Sequence, residues 1–186
     1  MRLMRESVDL KMTIDCLIVI DAFDSWPEED LKKYPFLDKE TKLFGQYLNH
    51  TINLIRPNCR IFHARTIPDR PLMKEIDTSQ DTIIDEDQPS LSVLPNFDNY
   101  YICGYHLSRC IQHKADNLFK QGKPYESIRI VLNMSMMFPG DTLTQSLRHL
   151  KAENTYMYNH GFGFQKLYDS LSPGNIIHSF FELKNV

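Results

Sequence analysis

The sequence predicts an α/β protein whose mainly parallel sheet is covered by helices on both faces. Strand-length apolar runs alternate along the chain with stretches of helical period, the order that builds parallel crossover units. The first run, "CLIVID" at 16–21, is apolar without alternation up to its final aspartate, as a central strand buried on both sides reads. With 186 residues, 42% hydrophobic and 24% charged, the chain is long enough for one domain, 1–186, with a large core.

Each element follows from its pattern. Residues 41–56 set Phe44, Leu48, Thr51, Ile52 and Ile55 on one side at helical spacing, and Pro57 with Asn58 ends that helix. "CRIFHART" (59–66) reads as the second strand. Prolines at 68, 71, 89 and 95 break any long element between 67 and 99, leaving "TIID" (82–85) as a short strand. "NYYICG" (99–104) reads as a buried strand. A helix at 107–121 follows, with Leu107, Cys110, Ile111, Leu118 and Phe119 inward and Gly122 beyond its end. "SIRIVLNMS" (127–135) is a further strand, and Asp141 caps a helix at 142–153. The remainder reads as a short strand "TYMY", a helix at 164–171 and a last strand or packed tail, "NIIHSFFEL".

Composition narrows the partners. A net charge of -3 gives no field for nucleic acid or anionic lipid, so neither is expected. The start, "MRLMRESVDLKM", has the charges of a secretory signal but not its apolar run, and no stretch reaches the ~18 apolar residues of a membrane span; the expectation is a cytoplasmic protein. Cys16, Cys59, Cys103 and Cys110 sit in or beside apolar runs, as reduced thiols do, without zinc-site spacing. The seven histidines are scattered, so no metal or other cofactor is expected.

In open parallel sheets ligands bind beyond the carboxyl ends of the strands, which makes Asp21, Arg65, His106 and Cys110 the first suspects. Asp21 ends a buried strand, where a carboxylate can take up a proton or simply cap a loop. If Ser108 is the N-cap, Cys110 lies about two residues inside a helix start, where unpaired N–H groups lower a thiol's pKa and hold an oxyanion. Packing is the competing reading, since a cysteine on an apolar helix face is an inert small hydrophobe. An acid at one strand end and a thiol at a strand-to-helix junction make the minimum set for base-assisted nucleophilic attack. Phe23, Trp26, Tyr105, Phe138 and Phe162 stand where they could wall a pocket for a planar substrate.

"LIVIDAFDSW" near the start and "ICGYHLSRCI" in the middle, followed by "LFKQG" and "IRIVLNMS", resemble the isochorismatase-like cysteine hydrolases, which include nicotinamidases and carbamoyl amidohydrolases. The resemblance implies a three-layer α/β/α sandwich with a Rossmann-like sheet of about six strands. It also implies an aspartate, lysine and cysteine triad that hydrolyses a non-peptide C–N bond in a small amide or carbamoyl substrate through a thioester. Asp21 matches the acid and Cys110 the nucleophile. A cis peptide at Tyr105–His106 is implied, aiming the His106 and Cys110 backbone N–H groups into an oxyanion hole. Phe23, Trp26, Arg65 and Tyr105 are the substrate-pocket candidates. A homo-oligomer is a further expectation, being common in such proteins.

The departures set up a rival reading. The family's lysine position holds Glu86, whose charge would raise the thiol's pKa; Arg65 or Lys74 are the substitutes within the sequence. Phe23 stands where glutamine is usual, and "HARTIPDRP" lacks the spacing of the nicotinamidase metal site. The alternative to a hydrolase is therefore an inactive relic of the fold that binds or assembles without turnover.

Overall fold

The apolar runs order the sheet. The computed structural model describes residues 15–67, 70–85, 94–137, 155–159 and 163–166. In chain order the strands are β1 (Asp15–Ile20), β2 (Cys59–Arg65), β3 (Thr82–Asp85), β4 (Asn99–Tyr105), β5 (Ile128–Met136), β6 (Thr155–Asn159) and β7 (Gly163–Lys166). They form one seven-stranded sheet in the order β3-β2-β1-β4-β5-β6-β7. The first six in that order run parallel, and β7 pairs antiparallel on β6. The predicted helix at 164–171 is thus corrected over its described part: Phe164 to Lys166 belong to β7, whose Phe164 ring stacks on Tyr101 at 3.7 Å.

Continuous apolar strands need cover on both sides, and two helices supply it. α1 is a single surface helix, Glu28–Lys33, and α2 runs from Leu37 to Ile55. α2 lays Leu48, Ile52 and Ile55 against Leu17, Val19, Ile61, Tyr101, Cys103 and Val131. On the opposite face a turn at Leu107–Ile111 leads into α3, Gln112–Lys120. Leu107, Ile111 and Leu118 pack there on Cys16, Ile18, Ile20, Ile102, Ile130 and Leu132. Alternate residues of β1 therefore serve different layers, which makes the architecture an α/β/α sandwich. Each of these fully buried aliphatic side chains contributes roughly 1.5–3 kcal/mol by leaving water.

The helix after β4 departs from the prediction in two ways. Its first turn is wound as a π-helix, opened by His106 in the left-handed region (φ 57°) with no side-chain cap, so it begins before Ser108. The buried stripe is Leu107, Ile111, Lys114 and Leu118, whereas Phe119, predicted inward, is 55% exposed and meets the edge of Tyr125. Gly122 does end the helix with φ 82°, its N–H and that of Lys123 returning to Phe119 and Leu118 carbonyls. The predicted helix at 142–153 with Asp141, Phe138 and Phe162 of the aromatic set, and Glu86 lie outside the described residues.

On the α2 side a polar cluster ties β2 to the segment before β3. His63, with no exposed surface, shares a 2.8 Å hydrogen bond between Nε2 and Asp81 Oδ2, and Arg56 clamps the same carboxylate with Nε and a terminal nitrogen, each at 3.0 Å. His63 is thereby a core residue and does not line the cleft.

Gly104 fixes how closely β4 approaches β1. A Cβ there would stand 2.2 Å from the Ile20 carbonyl oxygen and 2.6 Å from its nitrogen, and φ is +114°. Beyond this point β4 changes register on β5, from Ile102 opposite Ile130 to Gly104 opposite Ser135. Gly104→Ala is expected to cost at least ~2 kcal/mol, from strain and a backbone clash together. Gly122→Ala, with nothing within 4 Å to meet, should cost only ~1 kcal/mol. Urea unfolding of the two variants measures the difference; equal losses would mean that β4 has room to retreat from β1.

Candidate active site

The chain lays β2 and β3 to one side of β1 and then crosses to place β4 on the other, so the sheet's topological switch point lies between β1 and β4. A crevice opens at such a point beyond the strand ends. Asp21 follows β1 directly, and His106 follows β4. Both hold positive φ, 48° and 57°, a conformation that costs energy for a non-glycine residue and collects at functional sites. Asp21 is 3% exposed. Its N–H reaches the Ala64 carbonyl at 2.9 Å, while its carboxylate accepts the Thr66 N–H at 2.7 Å and the Thr66 hydroxyl at 2.8 Å on each oxygen. The end of β2 thus holds the carboxylate in place.

Cys110 reaches the same spot from the π-wound turn. It is half-buried, and its thiol lies within hydrogen-bonding reach of Asp21 and 3.7 Å from His106 Nδ1. Burial, then the charge of Asp21 and its hydrogen bond, push the thiol up to about 12; Arg109 and the Cys110 backbone N–H pull the other way. Both Asp21 effects stabilise the protonated thiol, the form that can give its proton to the carboxylate. The Cys110 N–H favouring its own thiolate marks a backbone donor beside the sulfur.

Asp21, Cys110, Phe23, Trp26, Tyr105 and His106 line one cleft of about 110 Å³, completed by Ser25, Thr66, Ile67 and Arg70. Trp26 braces one wall: its ring lies 5.7 Å from Tyr105 and 5.6 Å from His106, and Nε1 donates to Thr41 Oγ1 at 2.6 Å. Pairing between two segments far apart in sequence holds the near wall, since Asp24 N–H bonds Pro71 O at 3.1 Å, Met73 N–H bonds Ala22 O at 2.8 Å, and Phe23 bridges Leu72.

Two expectations are corrected. Arg65, placed in the pocket from sequence, is directed to β3, where Nε bonds Asp85 Oδ1 at 2.6 Å; the two are register partners across β2 and β3. The peptide joining Tyr105 to His106 is trans, as are all peptide bonds among the described residues, and the turn is made by the left-handed His106. Lys74, the other substitute cation, pairs with Asp24 at 3.0 Å with its side chain 82% exposed, outside the cleft.

Three residues were missed in the sequence. Thr66 anchors the carboxylate, and Arg70 brings a cation to the cleft wall. Lys114, one turn beyond Cys110 on the buried stripe, is 3% exposed. Burial pushes its ammonium down from the usual lysine range, while the negative charge of Asp21 holds it up. A lysine on an otherwise apolar stripe was the available signal; Thr66 and Arg70 had none. Among the described residues no group of three or more His, Cys, Asp and Glu side chains is placed to hold a metal ion, and no helix is long and apolar enough to cross a membrane.

The site predicts its own titration. Alkylation of Cys110 by iodoacetamide should rise with pH toward about 12. In Asp21→Asn, with the negative charge gone, the midpoint should fall by a unit or more and the rate at pH 8 rise roughly tenfold. Peptide mapping by mass spectrometry isolates Cys110 from the other thiols. An unmoved profile would show that Asp21 does not act on the sulfur.

No protein-family model matches this sequence, and no curated protein matches it. Solved structures do. The chain superposes on a hypothetical protein from Trypanosoma cruzi with a TM-score of 0.56 and 13% identity, covering 78% of each chain. It superposes on an isochorismatase-like hydrolase from Alkaliphilus metalliredigens with a TM-score of 0.51 and 11% identity, covering 74% of this chain and 88% of that one. At such identities the likeness is one of fold, and the fold of this chain is isochorismatase-like.

Proposed function

We propose that the protein is a cysteine hydrolase that cleaves a small amide or carbamoyl C–N bond through a thioester on Cys110. The observation that carries this reading is that the Cys110 thiol and the Asp21 carboxylate line one cleft, with the carboxylate acting on the thiol by charge and hydrogen bond. Asp21 takes the S–H proton as sulfur attacks the carbonyl carbon, and the carbonyl oxygen becomes the oxyanion. The Cys110 backbone N–H, which lies beside the sulfur, receives that oxyanion. On collapse the C–N bond breaks and Asp21 returns the proton to the leaving amine. Water, deprotonated by Asp21, then attacks the thioester, and the thiol leaves with its proton restored.

The resting thiol need not be ionised for this route, because proton transfer accompanies attack. Lys114 supplies the positive charge near Asp21 that the sequence lacks at Glu86, from a different element. Phe23, Trp26 and Tyr105 provide apolar walls for the substrate. A reducing cytoplasmic setting suits four unpaired cysteines.

One observation favours the alternative of an inactive binding protein: the thiol is pushed up to about 12 with a carboxylate beside it. Activity decides between them. Ammonia release from a panel of short primary amides is the assay, with Cys110→Ala as control. The hydrolase reading expects turnover that falls at least ~10³-fold in Cys110→Ala, with urea stability changed by less than ~1 kcal/mol since the side chain is only half-buried. Rapid acid quench should recover wild type heavier by the acyl group on Cys110. Absence of both turnover and adduct across the panel would leave the relic.

A further inference from the structure

The cleft contains a cation whose chemistry the hydrolytic steps do not use. Arg70 lines the wall beside Phe23 and Ser25. Its guanidinium carbon stands 4.5 Å from the Phe23 ring centroid, and one terminal nitrogen donates to the Ser25 carbonyl. These contacts hold the group in position without neutralising it: among the described residues no carboxylate pairs with Arg70, whereas Arg56 and Arg65 each have one. A guanidinium carries five N–H donors in a planar fork, so bonding to Ser25 leaves most of them available.

Resting on the hydrolase reading above, we infer that Arg70 is the substrate-anchoring residue, and that the substrate is a short amide carrying a carboxylate. Three features lead there. A lone guanidinium edge matches a planar carboxylate with two parallel hydrogen bonds, and with no second lysine or arginine among the described residues that line the cleft a phosphate would be poorly served. The cleft's 110 Å³ is small beside the ~300–1,000 Å³ of pockets for drug-sized ligands, so the occupant has few heavy atoms. Asp21 repels an anion and Arg70 attracts one, and both line the same cleft. The two charges therefore orient such a molecule, its acid group on Arg70 and its neutral amide toward Cys110. The aromatic walls strengthen the ion pair by excluding water.

The pair succinamate and succinamide tests this, with malonamate and malonamide as a shorter pair; within each the carboxylate is replaced by a carboxamide of equal size. Wild type should hydrolyse the acid with kcat/KM at least tenfold above the diamide, and Arg70→Met should bring that ratio close to one, with Arg70→Lys between. Equal rates in wild type, or a preference that survives in Arg70→Met, would overturn the inference while leaving the hydrolase standing. If neither compound is turned over, the hydrolase reading fails on this pair and anion binding is read separately. Succinate at constant ionic strength should then slow iodoacetamide alkylation of Cys110 at pH 9 in wild type more than succinamide does, and equal protection would overturn the inference. Should Arg70→Met not fold, the wild-type ratio and wild-type protection decide alone.

Discussion

The site depends on the contact between two backbones. β4 presses on β1 so closely at Gly104 that no side chain fits between it and Ile20. That approach lies one residue before Asp21 on one strand and two before His106 on the other. Because peptide hydrogen bonds lock neighbouring parallel strands in register, the spacing of their exits is set by the sheet and not by the loops. The carboxylate and the turn carrying the thiol thus meet without any long flexible connection to order. The two residues that leave the strands pay for this with left-handed backbone, and Asp21 is held by Thr66, the residue just past the end of a third strand.

Charge in the cleft is arranged around that meeting. Asp21 is buried yet receives three hydrogen-bond contacts from Thr66, enough to offset much of the cost of removing a carboxylate from water. Lys114 lies within its electrostatic reach from beneath, through the apolar stripe of α3. The sulfur, in contrast, is favoured as a thiolate only by Arg109 and its own backbone N–H, which burial and Asp21 outweigh, and it rests as a thiol. A protonated nucleophile beside a fixed base is a stable resting state, resistant to adventitious oxidation because thiolate character governs that chemistry.

Much of this was legible in the sequence. β1 announced itself because a strand buried on both faces is apolar throughout, and Asp21 stood out as the charge that ends the run. Cys110 was legible for the same reason, lying just after a glycine-terminated apolar run. Arg70 and Thr66 were not, because they reach the cleft through pairing of 71–73 on 22–24 and through the end of β2, contacts between distant segments that leave no local periodicity. Lys114 was hidden by its own chemistry, since lysine in a helix reads as its wet face. Phe119 was misplaced in its stead, the stripe 107, 111, 118 being equally compatible on paper with 119. Arg65 misled because a strand-end position says where a backbone stops and not which way a long side chain turns.

The π-wound turn at Leu107–Ile111 has a consequence for how such a chain can change. A wider turn holds one residue more than α winding needs, so it separates two angular demands that a regular helix would fuse. The sulfur's bearing on the crevice is set by the wide turn, and the seating of Leu118 on the sheet by the narrow ones after it. Aim and anchorage can therefore drift independently under mutation, and a lineage could re-point the nucleophile while the layer beneath it stays seated.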